Sequence, residues 1–102
     1  MKFLIVTCLH GEQDEVLKIF KHANISVFSA TGVIGFNENQ SHNYLQEWFA
    51  SGGERADSMM LFSFTADEKA DLGMELVKEY NSRTATNFPI RAIIVPVESA
   101  SF

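Results

Sequence analysis

Cys8 and His10 stand two residues apart at the end of an apolar run that starts at Phe3. Alternate residues of a strand project to one face, so Cys-x-His sets a thiol beside an imidazole, the donors that Zn²⁺ or Cu⁺ prefers. His42 is the third candidate for such a site. The competing reading is a structural Cys that behaves as a small hydrophobe and two solvated His, and three scattered residues favour it. Arg55, Arg83 and Arg91 are candidates for an anion such as a nucleotide phosphate or bicarbonate, through charge-assisted hydrogen bonds. Each can equally pair with a carboxylate, and such exposed pairs are weak. Arg83 and Arg91 rank first because they flank a polar stretch, residues 84–89, ahead of the last apolar run. The carboxylates Asp67, Glu68, Asp71, Glu75 and Glu79 would span both exposed sides of one helix, which makes them a solvated face and not a metal cage. No nucleophile and base are paired in a way that commits to a reaction, so the chain is not expected to be an enzyme.

These side chains have to be held by the elements around them. Phe3 to Leu9 is apolar on both faces, with Phe3, Ile5 and Leu9 on one and Leu4, Val6 and Cys8 on the other, and predicts a central strand. Gly11 breaks it. Glu12, Asp14 and Glu15 then suit a helix N-terminus, Val16, Leu17, Phe20 and Ala23 recur at helical spacing, and Asn24 ends the helix. Ile25 to Phe36 predicts a second strand, uncharged on both faces and therefore buried on both. It opens into a long loop, about 37–57, carrying Tyr44, Trp48 and Phe49 with Gly52-Gly53 as a hinge. Loops of that size in a compact domain are usually functional or disordered. Aromatic anchors on such a loop suit a partner, or else they fold back over the sheet edge. Ser58 to Phe64 predicts a third strand. Thr65 with Glu68 has the spacing of a capping box, and Ala70, Gly73, Leu76, Val77 and Tyr80 form one face of a second helix that ends near Asn81. Ile90 to Val97 predicts a last strand, with Pro96 near its end as an edge strand tolerates.

The order β-α-β-β-α-β is that of the ferredoxin-like α+β arrangement, a four-stranded antiparallel sheet in the order 4-1-3-2 with two helices on one face. Two helices cannot cover two faces of a sheet. Leaving the second set of Ile, Val, Met and Phe side chains wet would forfeit roughly 1.5–3 kcal/mol each, and a contiguous patch across four strands exceeds what monomers usually show. The second face is therefore expected to pack against copies of the same chain.

Length and composition bound the remaining possibilities. The 102 residues make one domain spanning 1–102, with 46% hydrophobic and 21% charged residues. Eight Lys and Arg against thirteen Asp and Glu give a net charge of −5 without a basic run, which argues against nucleic acid. A single Cys fits a reducing compartment, and the short opening apolar run fits neither a signal peptide nor a membrane span. A cytoplasmic protein is expected, without membrane insertion.

Val33-Ile34-Gly35-Phe36 carries a more specific signal. The chain resembles the PII signalling superfamily, in which the second strand ends in a Gly-Phe pair that opens the T-loop. Gly35, Phe36, His42 and Leu45 coincide with the family pattern G-F-G-x-Q-K-G-H-x-x-L, and the same register carries Asp67 to the start of the second helix. The resemblance in element order covers nearly the whole chain, the motif identities about a dozen positions. It implies a non-enzymatic homotrimer. A small ligand would bind in the intersubunit clefts, and the T-loop would act on a membrane transporter or a regulated enzyme. The residues it points to for the ligand are Gly35, Phe36, Asn39, His42, Arg83 and Arg91, and for the partner Tyr44, Trp48 and Phe49. The ligand would be a nucleotide, another anion or a divalent metal.

Several positions depart from the nucleotide-binding pattern. The T-loop Gln position reads Asn39, with Gln40 beside it. The Gly-rich loop T-G-x-x-G-D-G-K is replaced by RTATNFPIR, from Arg83 to Arg91, which lacks the glycines that let backbone amides close on a phosphate. Pro89 also removes an amide there. Arg91 can stand in for the Lys after that loop, but no later Arg follows, and Ser51 occupies the position of the modified Tyr. These differences weigh against Mg-ATP and against uridylylation. The alternative reading is a dimeric α/β-barrel enzyme, of the monooxygenase or isomerase type, with His42, Tyr44 and Trp48 in its pocket.

Overall fold

The computed structural model describes residues 1–36, 55–84 and 88–102, and at 35, 36, 55 and 56 the backbone alone. Its elements are β1 (Lys2–Leu9), a 3₁₀ turn (His10–Glu12), α1 (Gln13–His22), β2 (Ser29–Phe36), β3 (Arg55–Thr65), α2 (Asp67–Arg83) and β4 (Arg91–Pro96). The four strands form one antiparallel sheet in the order β2-β3-β1-β4, as the element order predicts.

Register assigns each strand residue to a face. Leu4 pairs with Ser63 and Ile94, Val6 with Leu61 and Ala92, and Cys8 with Met59. This side meets the helices: Leu4, Val6 and Leu61 are fully buried with Val16 and Phe20 of α1, and Val77 of α2 lies in the same cluster. Each such side chain contributes roughly 1.5–3 kcal/mol of burial. The predicted face of α2 is the one that packs, with Ala70, Gly73 and Val77 buried and Leu76 and Tyr80 partly so.

The opposite face carries Phe3, Ile5, Phe62, Phe64, Ile93 and Val95 in register. Phe3 stacks on Phe64 with ring centroids 4.5 Å apart and meets Phe62 edge-on at 5.8 Å. In the single chain this aromatic cluster is open: Phe64 is 52% exposed, Ile93 42% and Val95 40%.

Four expectations are corrected. The second strand begins at Ser29 and not at Ile25, because Asn24 takes a left-handed φ of 60° and Ile25 N–H donates to Phe20 O at 2.9 Å, closing the helix end. Ile25 drops into the core, and Val27 O accepts from Ser63 Oγ at 2.6 Å in place of a ladder partner. Within one chain β2 is not buried on both faces, since it is a sheet edge and Ser29–Gly32 are exposed. The third strand starts at Arg55, paired with Phe36, so residues 55–57 belong to the sheet and not to the loop. Thr65 does not cap α2, because it still pairs with Lys2 in the sheet; the N-cap is Ala66, without a side-chain hydrogen bond. In place of a capping box, Asp67 in the first turn pairs with the Met1 ammonium at 3.1 Å.

Candidate functional site

One end of the sheet gathers most of the predicted site positions. β2 ends at Phe36 opposite Arg55, β1 ends at Leu9 opposite Ser58, and β4 begins at Arg91 opposite Thr7. The β2–β3 ladder therefore runs three residues past the end of β1, about 10 Å at the rise of a strand. Gly35 and Phe36 lie on this overhang, at the exit into residues 37–54. Asn39, His42, Tyr44, Trp48 and Phe49 fall outside the described residues.

The stretch between α2 and β4 is anchored at its far end. Asn81 Nδ2 donates to Ile90 O at 2.7 Å, and Ile90 N–H donates to Asn81 Oδ1 at 3.0 Å. Ile90 is buried, so the amide pair fixes the start of β4 against α2 and sets Arg91 across from Thr7. Arg83 is exposed and lies 3.9 Å from Glu79, one turn back on the same helix, a weak pair in solvent. The carboxylates of α2 lie on its solvated side, as expected.

Cys8 is 5% exposed and sits in the core against the helices. Burial, and secondarily the charge of Glu12, pushes its thiol up to about 11, away from the thiolate that binds metal. His10 lies in the exposed 3₁₀ turn, and among the described residues no cluster of three His, Cys, Asp or Glu could hold a metal ion. The turn itself is braced by Leu9 N–H donating to Glu12 Oε1 at 3.2 Å. Burial and the nearby Glu12 raise the pKa of the Tyr80 phenol.

The described part of the site thus offers one cation at a fixed strand start, a β-overhang ending in Gly-Phe, and an anchored loop. The same fold is found in a known structure. Over 91% of this chain and 82% of the other, with a TM-score of 0.62 and 11% identity, the protein is similar to the crystal structure of a protein from Thermus thermophilus provisionally described as a PII-like signaling protein. The fold is PII-like. No protein-family model and no curated protein sequence matches the chain. Among the described residues no helix is long and apolar enough to cross a membrane.

Sequence reasoning missed the Asn81 clasp. A carboxamide at the end of a helix, just before a polar stretch, is the signal that could have revealed it, because Asn and Gln carry a donor and an acceptor that match one backbone residue.

Proposed function

We propose that this chain is a non-enzymatic PII-like signalling protein, a cytoplasmic homotrimer that receives a small ligand in the clefts between its subunits. Residues 37–54 would act as the T-loop that reports occupancy to a partner, a membrane transporter or a regulated enzyme. The observation that carries this reading is the open sheet face with Phe3 stacked on Phe64 and with Ile93 and Val95 beside them, attached to a PII-like fold. An apolar surface of this kind is stabilised by burial against copies of the chain. The ligand site proposed is Gly35, Phe36, Asn39, His42, Arg83 and Arg91, and the partner site Tyr44, Trp48 and Phe49. A nucleotide, bicarbonate or a divalent metal is the ligand class. Cys8 and His10 with His42 form the less favoured metal set, since the Cys8 thiol is held in the core in its protonated form.

Two measurements on the full chain test this. Light scattering is expected to give three copies; two copies would favour the dimeric enzyme reading and one would remove the intersubunit clefts altogether. A thermal-shift screen of nucleotides, cyclic dinucleotides, bicarbonate and divalent metals is expected to yield a stabilising compound, because a ligand that binds the native state raises stability by mass action. The stabilisation should weaken in Arg91→Ala. A trimer that responds to none of these ligands would overturn the sensor role.

A further inference from the structure

On the helix side of the sheet, away from the site above, α1 and the segment that follows it border an open cleft of about 470 Å³ lined by Leu17, Lys21, Asn24, Ile25, Ser26 and Phe28. That volume lies in the range of small-molecule sites. The walls are fixed from several directions. Phe28 is held edge-on against the buried Phe20 ring with centroids 5.0 Å apart. Ile25 N–H is bonded to Phe20 O, Asn24 N–H to Lys21 O at 3.1 Å, and Val27 O to Ser63 Oγ. Ile25 forms an apolar floor that is 3% exposed, while Phe28 remains 37% exposed. The three polar lining residues, Lys21, Asn24 and Ser26, are all exposed.

Charge narrows the ligand class. None of the six lining residues is acidic, although the chain as a whole carries a charge of −5. The neighbouring Lys18 is held by Glu15 at 3.5 Å, whereas no described carboxylate forms an ion pair with Lys21. An anionic group at Lys21 would gain a charge-assisted hydrogen bond there. A flat ring laid on Ile25 and Phe28 would gain apolar burial and the aromatic contact that Phe28 leaves unused. We propose that this preformed cleft is a second binding site, for a small aromatic carboxylate, independent of the intersubunit ligand and of the oligomeric state.

The test is an amide-resolved NMR titration of the full-length protein with phenylacetate, and with neutral phenylacetamide as its uncharged match. Saturable shifts are expected at Leu17, Lys21 and the Asn24–Phe28 segment. Lys21→Met should weaken phenylacetate about tenfold, down to the level of the amide. Ser26→Phe, at an exposed position, should abolish both by filling the cleft. The proposal is overturned if no saturable shift occurs in this segment, if the carboxylate and the amide bind alike to the unaltered protein, or if binding survives Ser26→Phe. Light scattering on the same samples reports the oligomer separately, so failure here leaves the trimer reading untouched, and the converse also holds.

Discussion

Asn81 and Ile90 face each other across the stretch that precedes β4 and share two hydrogen bonds, one in each direction, at 2.7 and 3.0 Å. Because Ile90 is buried, removing the carboxamide strands a backbone donor and acceptor, a loss of about 1–3 kcal/mol. Asn81→Ala is expected to lower stability by that amount. Asn81→Asp keeps only the acceptor and should forfeit the contact with Ile90 O, whereas Asn81→Ala alone removes the acceptor of Ile90 N–H and should exchange that amide hydrogen faster. Unchanged exchange at Ile90 would mean that the clasp is not what holds the start of β4.

Phe64 and Ile93 lie on the open face, 52% and 42% exposed in the single chain. Replacing both by Lys should therefore alter the folding of one subunit little, by less than about 1 kcal/mol, as at surface positions generally. If copies of the chain cover this face, the same pair of charges would be buried between subunits, where unpaired ions are costly. The expected outcome is a folded chain whose light-scattering mass falls to that of one copy. A double variant with the mass of the unaltered protein would show that the face is not an interface.

How much of this could be read from the sequence depended on whether the signal was periodic or geometric. Alternation in Phe3–Leu9 and Ser58–Phe64 named the strands and their two faces, and the five positions from Ala70 to Tyr80 named the packed side of α2. The boundaries that went astray, Ile25 and Thr65, are places where a residue fits either neighbouring element and a tertiary bond decides. Ile25 looks like strand until its amide closes α1, and Thr65 looks like a cap until it pairs with Lys2. At the site, Arg91 was legible as a cation beside a loop, but nothing in the order of residues says that Asn81 holds the start of its strand. Cys8 and His10 show the limit of spacing arguments. They are two apart, yet the chain turns into a 3₁₀ helix at His10, and the pair divides between core and solvent.

Gly73 is buried where α2 packs on Leu4 of the sheet. A Cβ placed there would lie 3.2 Å from Leu4 Cδ2 and 3.6 Å from Ile25 Cδ1, and Leu4 is fully buried. Gly73→Ala should gain about 1 kcal/mol of helix propensity and lose a similar amount to crowding, leaving stability near that of the unaltered protein. Gly73→Val adds two more methyl groups to the same space and loses the helix advantage, so it is expected to destabilise by about 2–4 kcal/mol. Urea midpoints decide the matter. Equal midpoints for the Val and Ala variants would show that α2 can move away from Leu4 at little cost.

Cys8 makes stability depend on pH with a definite sign. Its thiol ionises at 9.0 in an open chain and at about 11 in the fold, where burial and then Glu12 oppose the thiolate. Between those values the folded protein holds a proton that the unfolded chain has released, so stability must fall as pH rises. The contribution is complete below pH 9 and gone above pH 11, and its size is on the order of 2 kcal/mol. Tyr80, whose pKa is also raised, adds a fall of the same sign, which a comparison with Cys8→Ala removes. At neutral pH the variant should be less stable by about 1 kcal/mol for its lost packing. That deficit should shrink, and then reverse, as urea unfolding is repeated from pH 8 to pH 11. A deficit that stays constant over this range would place the Cys8 thiol in contact with water, contrary to its position in the core.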